Sequence, residues 1–502
     1  MIASLLAGCA GGEPGAEPEP APDGAPGKAA KKRAKPEPPL ERITGAKPRN
    51  LLVVLVDDLR WDAVGYAGNA RAKTPAIDAL AAEGAAFERA YVTTALCAPS
   101  RASMLTGLYA HQHGVTSNAG DLPKRTATYG TMLQRAGYAT AYVGKWHMGD
   151  RLDPRPGWDH WISFRGQGQY DYPDGQRGSP KDRGFNFDGD FREVKGYVTD
   201  LLTDHAVTWL EAQSSAKPWL LVVSHKAVHA PLSPPERYRA ALGDLVPPEI
   251  LPDTDAAYAG KPKWLRAMRA SELGVDGTYR GREDPDEWYR NYFRCLQAVD
   301  DSVGRLVAAL KASGAWENTA VVFTSDNGFA FGERGVVDKR NFYEESCRVP
   351  LVVAAPGLAT PGARREFALN VDVAPTLLEL AGVVPPAGLH GRSLVPLLRG
   401  RVPEDWRKAW LYEYFFERTY PQTPTVLGLR SGKYKLVTYH GVWEEDELYD
   451  LEADPDEQHN LAPGAKERVD ELWAALKEEA ERLGCRLNPS WARQVADEEV
   501  GI

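Results

Sequence analysis

Short apolar runs alternate with amphipathic stretches over most of the chain. Runs of strand length occur at residues 51–56, 140–143, 219–223 and 320–324. Apolar residues three or four positions apart predict helices, at residues 76–82, 131–136, 201–212 and 289–313. Strands and helices that alternate in this way form parallel sheets with helices on both faces. The pattern therefore predicts a doubly wound, mainly parallel α/β sheet.

The alternation stops after Arg399, and shorter elements follow. Candidate strands occur at residues 410–416, 426–430 and 434–439, and a candidate amphipathic helix at residues 465–483. This change of pattern predicts a smaller C-terminal α+β subdomain. The expected divisions are a main domain over residues 49–400, the subdomain over residues 401–485 and a tail over residues 486–502.

Composition narrows the function classes. The 502 residues are 43% hydrophobic and carry a net charge of -9, so the chain can bury a large core and has no general attraction to nucleic acid. The basic cluster at residues 28–35 lies in a stretch rich in Pro, Gly and Ala that is typical of a disordered linker. The longest purely aliphatic run, residues 51–56, is too short to cross a bilayer, so no transmembrane helix is predicted.

Residues 5–9, with the sequence LLAGC, resemble the lipobox of bacterial lipoproteins. In such proteins the cysteine carries lipid and becomes the first mature residue. The preceding segment is short and lacks the positive charge of a signal peptide, so either the start codon lies upstream or the match is accidental. We expect a signal remnant over residues 1–9, a linker over residues 10–48 and a lipid anchor at Cys9 in the bacterial cell envelope, in the periplasm or at the surface. The alternative is a dispensable disordered tail.

Five cysteines are present, and none has the C-x-x-C spacing of a metal site. Apart from Cys9 and Cys97, they are Cys295, Cys347 and Cys485. We expect these three to be structural thiols, although one pair could form a disulfide in an oxidising compartment.

Charged and polar residues follow each of the four candidate strands. Ligands of doubly wound sheets bind beyond the carboxyl ends of the strands, so these residues are expected to meet in one crevice. In chain order they are Asp57 and Asp58, Lys145 and His147, His225 and His229, and Asp326 and Asn327. Lys145 and His147 are two residues apart, so we expect them on the same side of an extended segment.

Four of these residues, Asp57, Asp58, Asp326 and Asn327, offer only oxygen donors. Such a set suits a hard cation and is a poor one for zinc, which favours nitrogen and sulfur. Each pair alone is also common in turns. Two such pairs at strand ends together predict a metal site, with Ca2+ as the expected ion and Mg2+ as the alternative.

The run CAPSR at residues 97–101 precedes a helix-like stretch at residues 100–105. The exposed amides and the dipole of a helix amino terminus favour an anionic ligand there. From the residues alone, a buried structural thiol is an equally good interpretation of Cys97.

The CAPSR run and the block GKWHMG at residues 144–149 resemble the sulfatase family, and the similarity extends from residue 49 to residue 461. In that family a maturation enzyme converts the cysteine of C-x-P-S-R to formylglycine. The resemblance implies an alkaline-phosphatase-like fold and hydrolysis of sulfate esters by attack of hydrated formylglycine on sulfur. It also implies that an oxygen of the modified Cys97 completes the metal site formed by Asp57, Asp58, Asp326 and Asn327.

The resemblance further implies a role for each cation and histidine near this site. Arg101 holds the modified residue, and Lys145 and Lys339 bind sulfate oxygens. His147 orients or deprotonates the diol of hydrated formylglycine, and His229 protonates the leaving oxygen.

Each of these assignments has a plainer alternative. Arg101 could be an exposed helix residue, and His147 a hydrogen-bonded core histidine. The acid could be His225, which we expect instead to pack or bind substrate, and the sulfate lysine could be confused with the adjacent Arg340.

His111 and His113 alternate in the way that metal ligands often do. We expect structural roles for both, because the oxygen-only metal set leaves no vacancy for imidazole. In sulfatases, moreover, this segment closes the helix that follows the nucleophile.

The expected substrate is a sulfated carbohydrate. Residues 224–231, 291–301 and 341–350 resemble carbohydrate sulfatases of the N-acetylglucosamine-6-sulfatase type, which implies a glycosaminoglycan or mucin-type glycan. Loops at residues 151–192 and 415–428 are rich in aromatic residues and arginine, which suit stacking on sugars. Two alternatives are a phosphodiesterase or phosphonate monoester hydrolase on the same scaffold, and a non-catalytic glycan-binding surface lipoprotein.

Overall fold

The computed structural model describes residues 40–149, 153–173, 179–214, 216–272, 274–280 and 283–485. The predicted lipid anchor at Cys9, most of the predicted linker and the predicted tail lie outside the described residues. The linker ends earlier than expected, because the backbone N–H of Ile43 donates to the carbonyl of Gly382 over 2.9 Å. Residues 40–48 therefore already pack on the main domain. No helix in the described part of the chain has the length and apolarity needed to cross a membrane.

A ten-stranded mixed sheet forms the centre of the main domain. Its strands, in chain order, are β1 (Asn50–Val56), β2 (Ala85–Phe87), β3 (Ala139–Gly144), β4 (His160–Ser163), β5 (Gly184–Phe187), β6 (Asp190–Glu193), β7 (Trp219–Ser224), β8 (Thr319–Ser325), β9 (Leu351–Ala354) and β10 (Gly362–Arg364). Their order across the sheet is β10-β2-β9-β8-β1-β7-β3-β4-β5-β6.

The four strands predicted from the sequence are β1, β3, β7 and β8, and they lie side by side at the centre. All of them run parallel, with β1 between β7 and β8. Antiparallel pairs occur only further out, at β8–β9, β9–β2, β4–β5 and β5–β6. The predicted doubly wound, mainly parallel α/β sheet is thus confirmed, and the short outer strands are the part that the pattern did not reveal.

Helices cover both faces of this sheet. The main helices of the described residues, of which α9 belongs to the C-terminal subdomain, are α1 (Pro75–Glu83), α2 (Cys97–Thr106), α3 (Ala110–His113), α4 (Tyr129–Arg135), α5 (Val198–Glu211), α6 (Lys263–Arg269), α7 (Pro285–Ala312), α8 (Val373–Leu380) and α9 (Lys466–Arg482). Further short helices span Pro180–Arg183, Val275–Tyr279, Glu344–Cys347 and Val395–Leu398. Five of the labelled helices, α1, α2, α4, α5 and α7, correspond to helices predicted within the main domain.

Strand β1 explains why the central strands are apolar throughout. Its residues enter two separate clusters in alternation, Leu51 and Val53 on one side of the sheet and Leu52 and Val54 on the other. A strand that is buried on both faces needs apolar residues at every position. The change from apolar to acidic residues after β1 is therefore easy to recognise in the sequence.

A four-stranded antiparallel sheet forms the C-terminal subdomain. Its strands are β11 (Ala409–Tyr414), β12 (Thr425–Ser431), β13 (Tyr434–His440) and β14 (Glu447–Asp450), in that order. Three of them and helix α9 were predicted, whereas the four-residue strand β14 was not. Trp410, Leu436 and Leu472 from this subdomain belong to the same apolar cluster as Leu51, so the two sheets share one core.

The described cysteines, Cys97, Cys295, Cys347 and Cys485, are free and buried. The prediction that the last three are structural thiols therefore agrees with the fold, and none of them forms the disulfide that was left open. Cys347, for example, directs its thiol to the carbonyl of Phe342 over 3.4 Å.

Candidate active site

The ends of β1 and β8 bring four oxygen-donor residues together. Asp57 and Asp58 follow β1, Asp326 and Asn327 follow β8, and each is at most 1% exposed. The backbone N–H of Asp58 donates to Oδ1 of Asp326 over 3.1 Å, and Nδ2 of Asn327 donates to Oδ1 of Asp58 over 2.6 Å. Adjacent parallel strands thus place both pairs at one edge of the sheet.

Cys97 lies directly against this acidic group. Its Sγ atom is 3.5 Å from Oδ1 of Asp57 and 3.9 Å from Oδ1 of Asp58. Asp57, Asp58, Cys97 and His229 each offer one potential ligand atom, and these four atoms lie within 4.8 Å of one another. The encoded thiol is therefore at the centre of the crevice.

Helix α2 begins at Cys97, three residues earlier than the predicted helix at residues 100–105. All ten residues of this helix are buried, including Arg101 at 2% exposure. The expected helix amino terminus near Cys97 is therefore confirmed, and Cys97 is itself the first helical residue. The alternative of an exposed arginine is wrong.

Arg101 links Asp326, after β8, to the end of β3. Its Nε atom donates to Oδ2 of Asp326 over 2.7 Å, and its Nη1 atom donates to the carbonyl of Lys145 over 2.7 Å. Nη1 also lies 2.7 Å from Oγ of Ser224, at the end of β7. The planar guanidinium can hold several acceptors in fixed directions, so Arg101 fixes three strand ends relative to α2.

Two lysines face the first two acids. The ammonium group of Lys145 contacts Oδ2 of Asp57, and that of Lys339 lies 2.7 Å from both carboxylate oxygens of Asp58. Lys145 is fully buried and Lys339 is 3% exposed. The adjacent Arg340 turns away from this crevice, because its guanidinium binds Asp338 and Glu417.

Burial and mutual repulsion affect the acids differently. Burial raises the pKa of Asp58, and burial together with the charge of Asp57 raises the pKa of Asp326 to about 7. Burial acts in the same direction on Asp57, but neighbouring cations, Lys145 foremost, outweigh it and hold the pKa of that carboxyl well below its usual range. The acids are thus crowded to a degree that a bound divalent cation would relieve.

The residues present fit a hard divalent cation. Oδ1 of Asn327 is buried and accepts no hydrogen bond, although its amide nitrogen is fully engaged. A buried carbonyl oxygen without a partner is costly unless a ligand uses it. Three carboxylates beside it complete a set of hard oxygen donors.

A close approach of two strands explains the glycine before Lys145. Gly144 has a φ of 124°, and a Cβ atom there would lie 1.9 Å from the carbonyl oxygen of Ser224. Because no side chain intervenes, the N–H of Lys145 donates to that oxygen over 2.8 Å. The glycine thus permits the contact that positions Lys145 in the crevice.

The segment after β3 is not extended at His147, contrary to the expectation that Lys145 and His147 share one side of a strand. The φ of His147 is 55°, in the left-handed region, and such values in residues other than glycine are often found at functional sites. Its Nε2 atom lies 3.0 Å from Nε2 of Gln167. Burial lowers the pKa of His147 to about 2, and the charge of Lys145 acts in the same direction.

His229 and His225 occupy different environments. Nε2 of His229 lies 3.8 Å from Oδ2 of Asp58, and its Nδ1 atom is 2.5 Å from the carbonyl of Ala230. His225 is fully buried, and its Nε2 atom lies 3.1 Å from the hydroxyl of Ser302 on α7. The structure therefore places His229 in the crevice, while His225 packs against a helix.

His111 and His113 make structural contacts away from the acids. His111 pairs with Glu413 over 2.8 Å, and Nε2 of His113 lies 3.0 Å from Oγ of Ser103. His111, Glu413 and Cys485 also bring potential ligand atoms within 4.8 Å of one another. Both ring nitrogens of His111 already have hydrogen-bond partners, however.

Several residues at the site were not identified from the sequence. Asn118 accepts from the backbone N–H of Ala98, Gln167 contacts His147, and Ser224 bonds Arg101. Each lies on a loop or strand end far from its partner in sequence. No local spacing marks such contacts, whereas the paired acids after apolar runs are visible as a pattern.

Comparison with known proteins identifies the families that this chain resembles. A family model described as Sulfatase matches residues 49–383, and one described as N-sulphoglucosamine sulphohydrolase, C-terminal, matches residues 332–485. The chain is 33% identical over 491 residues to an N-acetylglucosamine-6-O-sulfatase of Bacteroides thetaiotaomicron, covering 86% of this chain and 86% of that protein.

Solved structures give the same fold. One is the structure of a protein in complex with its substrate D-glucosamine-2-N,6-O-disulfate. It has a TM-score of 0.77 and 29% identity, and the match covers 88% of this chain and 99% of that chain. Another, a phosphonate monoester hydrolase of Agrobacterium radiobacter, has a TM-score of 0.71 and 26% identity and covers 87% of this chain and 96% of that chain. The scaffold is therefore one on which both sulfate and phosphonate esters are hydrolysed.

Proposed function

This chain belongs to the sulfatase family and is a hydrolase of sulfate esters, and from that premise we propose that it acts on a sulfated carbohydrate such as 6-O-sulfated N-acetylglucosamine. The main observation in support of the reaction is the contact between Cys97 and the acids after β1. Lys145 and Lys339 bind these acids. The sugar is supported by relatives that are named for N-acetylglucosamine 6-sulfate and by the disulfated glucosamine in the neighbouring structure.

We propose that residue 97 acts as formylglycine, made from cysteine by a maturation enzyme, beside a bound Ca2+ or Mg2+. Asp57, Asp58, Asp326 and Asn327 would hold the ion, with an oxygen of residue 97 as a further ligand. The modified residue would supply a hydroxyl nucleophile for sulfur, and the ion would supply positive charge beside it.

The cations of this chain bind and neutralise the substrate sulfate. Lys145 and Lys339 each have an ammonium group with three N–H donors, so each can hold an acid and still donate to a sulfate oxygen. Nε and Nη1 of Arg101 bind groups at strand ends, and Arg101 is the proposed residue that keeps residue 97 in place. Fixed positive charges in a dry site stabilise the charge that builds up on sulfate oxygens during bond cleavage.

His229 is the proposed acid for the leaving oxygen. Its Nδ1 atom faces a carbonyl oxygen at 2.5 Å, which requires a proton on that nitrogen. The other nitrogen, Nε2, is directed to the crevice, where a proton can pass to the departing sugar oxygen. His147 is the proposed residue that orients the hydroxyl groups of residue 97.

The second candidate activity is hydrolysis of phosphate or phosphonate esters. Lysines and a metal site suit any tetrahedral oxyanion, and a phosphonate monoester hydrolase shares the fold. A non-catalytic glycan-binding role is less favoured, because each catalytic position expected of a sulfatase is occupied by a suitable residue.

We further propose that Cys9 carries lipid and anchors the enzyme in the bacterial cell envelope. A proline-rich spacer would hold the catalytic domain away from the membrane surface. Membrane fractionation of the native protein and of Cys9→Ala tests this: we expect the variant to move to the soluble fraction. Equal fractionation of both proteins would contradict the anchor.

A substrate panel tests the function. The protein is co-expressed with a maturation enzyme, and product release is measured from 6-O-sulfated N-acetylglucosamine, other sulfated sugars, an aryl sulfate and an aryl phosphate. Fastest release from the 6-sulfated sugar supports the proposal. Release only from other sulfates would replace the substrate, and release from the phosphate alone would favour the second candidate.

A further inference from the structure

Helix α2, which carries residue 97 at its first position, lacks a cap of its own. Its N-cap residue is Leu96, whose side chain cannot accept a hydrogen bond, and no side-chain cap bond is present at that residue. The first backbone N–H groups of a helix have no acceptor within the helix. The N–H of Ala98, next to residue 97, donates instead to Oδ1 of Asn118 over 3.0 Å. Asn118 therefore caps the helix from outside it.

Asn118 is in turn held by the C-terminal subdomain. Its backbone N–H donates to Oε2 of Glu417 over 3.1 Å, across 299 residues of sequence. Glu417 lies just after β11 and is only 6% exposed. Through Asn118, Glu417 thus connects the four-stranded sheet to the start of α2.

The other oxygen of Glu417 binds the loop that carries Lys339. Oε1 accepts from Nε of Arg340 over 2.8 Å and from the hydroxyl of Tyr414 over 3.1 Å. Arg340 is stacked on the ring of Tyr420, with 3.3 Å between the guanidinium carbon and the ring centroid. Arg340 directly follows Lys339, the lysine that contacts Asp58.

One buried carboxylate therefore joins two loops, one that caps the helix bearing residue 97 and one that carries Lys339. Hydrogen bonds to an ionised group in a buried site are stronger and more directional than those between neutral groups. In the described contacts, neither Asn118 nor Glu417 is bonded to Asp57, Asp58, Asp326 or Asn327.

We infer that Asn118 and Glu417 are positioning residues, which set the distance between residue 97 and Lys339 across the crevice. The inference rests on the proposed function, because it assumes that these two residues act on one ester group. A displacement of reacting groups by about 1 Å can lower a rate by about 100-fold. Loss of either positioning residue should therefore lower kcat without removing the metal.

The test compares five substitutions in the full-length enzyme, two at Asn118, two at Glu417 and one at a control position. Asn118→Leu keeps the shape and removes the acceptor, whereas Asn118→Asp keeps an acceptor at a helix amino terminus, where a negative charge is favourable. Thr128→Ala is the matched control, because Thr128 caps α4 by accepting from the N–H of Thr131 and has no contact with the site in the described structure. Each rate is divided by the formylglycine fraction, measured by peptide mass spectrometry, and metal content is measured in parallel.

We expect Asn118→Leu to lower kcat roughly 10- to 100-fold with little change in KM, and Asn118→Asp to restore most of it. Thr128→Ala should lower the melting temperature to a similar extent and leave kcat unchanged. Glu417→Gln, which retains one acceptor oxygen, should lower kcat by less than Glu417→Leu does. Both Glu417 variants should keep the wild-type metal content.

The inference is overturned if Asn118→Leu changes only the melting temperature, as Thr128→Ala does, or if its loss of rate disappears after correction for the formylglycine fraction. The rates are measured on whichever ester the wild-type protein hydrolyses fastest, sulfate or phosphate. Failure of the proposed substrate would thus appear in the wild-type protein, separately from failure of the positioning role.

Discussion

The Sγ atom of Cys97 lies 3.5 Å from Oδ1 of Asp57, although 40 residues separate them in the sequence. The contact exists because β1 ends at the edge of the sheet where α2 begins. An acid that follows a strand and a residue that starts a helix thereby share one buried crevice. The proposed chemistry of residue 97 therefore depends on the proposed metal site, and metal binding there depends on the charges around residue 97.

The metal site is tested by Asp326→Asn, which keeps the side-chain shape and removes one charge. We expect the metal content of the dialysed protein to fall at least about tenfold, because a hard cation loses an anionic oxygen. Elemental analysis measures the ratio of metal to protein. The control is Asp405→Asn, an acid with 79% of its side chain exposed. An unchanged ratio in Asp326→Asn would remove this residue from the site.

Lys339 is predicted to bind the substrate sulfate. Lys339→Ala should raise KM for the sulfate ester roughly 10- to 100-fold, because a charged hydrogen-bond donor is lost. Lys339→Arg should recover part of the loss, since it restores the charge with a different shape. Initial-rate measurements at constant metal content give KM. If KM is unchanged while kcat falls, the function of Lys339 is to bind Asp58 rather than the substrate.

The role of His229 can be separated from general damage by varying the leaving group. A phenol with electron-withdrawing groups departs without a proton, whereas a sugar hydroxyl needs one. His229→Ala should therefore slow a sugar sulfate about 100-fold or more and a nitrophenyl sulfate less than about tenfold. His225→Ala is the matched control and should affect both esters equally. Equal losses in His229→Ala would contradict its role as the acid.

His113 predicts a dependence of stability on pH that is independent of the active site. Its Nδ1 atom accepts from the N–H of Val115 over 3.1 Å, which requires a neutral ring. Burial lowers its pKa to about 3, with the nearby His111 acting in the same direction. The folded pKa lies below the unfolded value of about 6.5. The contribution of His113 is thus complete above pH 6.5 and is lost as the pH falls towards 3.

Urea unfolding at pH 7 and pH 5 measures this effect. The wild-type protein should lose about 2 kcal/mol of unfolding free energy from His113 over this interval. In His113→Gln, which cannot become charged, the loss should be smaller by that amount. Other buried histidines, such as His225, titrate in both proteins and cancel in the comparison. The same loss in both proteins would show that His113 is not the group that titrates.

The sequence pattern predicted the parts of this molecule that depend on local periodicity. Strands β1, β3, β7 and β8 are buried on both faces and therefore form unbroken apolar runs, and the acids after them stand out for the same reason. The outer strands have only three or four residues, too few for any period to be recognised.

Contacts between distant loops left no such pattern. Asn118 reaches Glu417 across 299 residues, and Gln167 reaches His147 from a separate loop. The left-handed backbone at His147 and Asp58 was not predicted either, because only a few per cent of residues other than glycine have a positive φ and no local pattern marks which ones do. The residues that carry the chemical groups were thus predictable, whereas the residues that hold them in position were not.

The central claim, that residue 97 acts as formylglycine in sulfate ester hydrolysis, is tested most directly by one titration. Preparations of the protein with increasing formylglycine content at residue 97, set by the level of co-expressed maturation enzyme, are assayed for sulfate release from 6-O-sulfated N-acetylglucosamine. Cys97→Ala and Cys485→Ala serve as the inactive and active controls. We predict that turnover per molecule rises in proportion to formylglycine content, is absent in Cys97→Ala and is normal in Cys485→Ala. Full turnover by protein in which residue 97 remains cysteine would contradict the account.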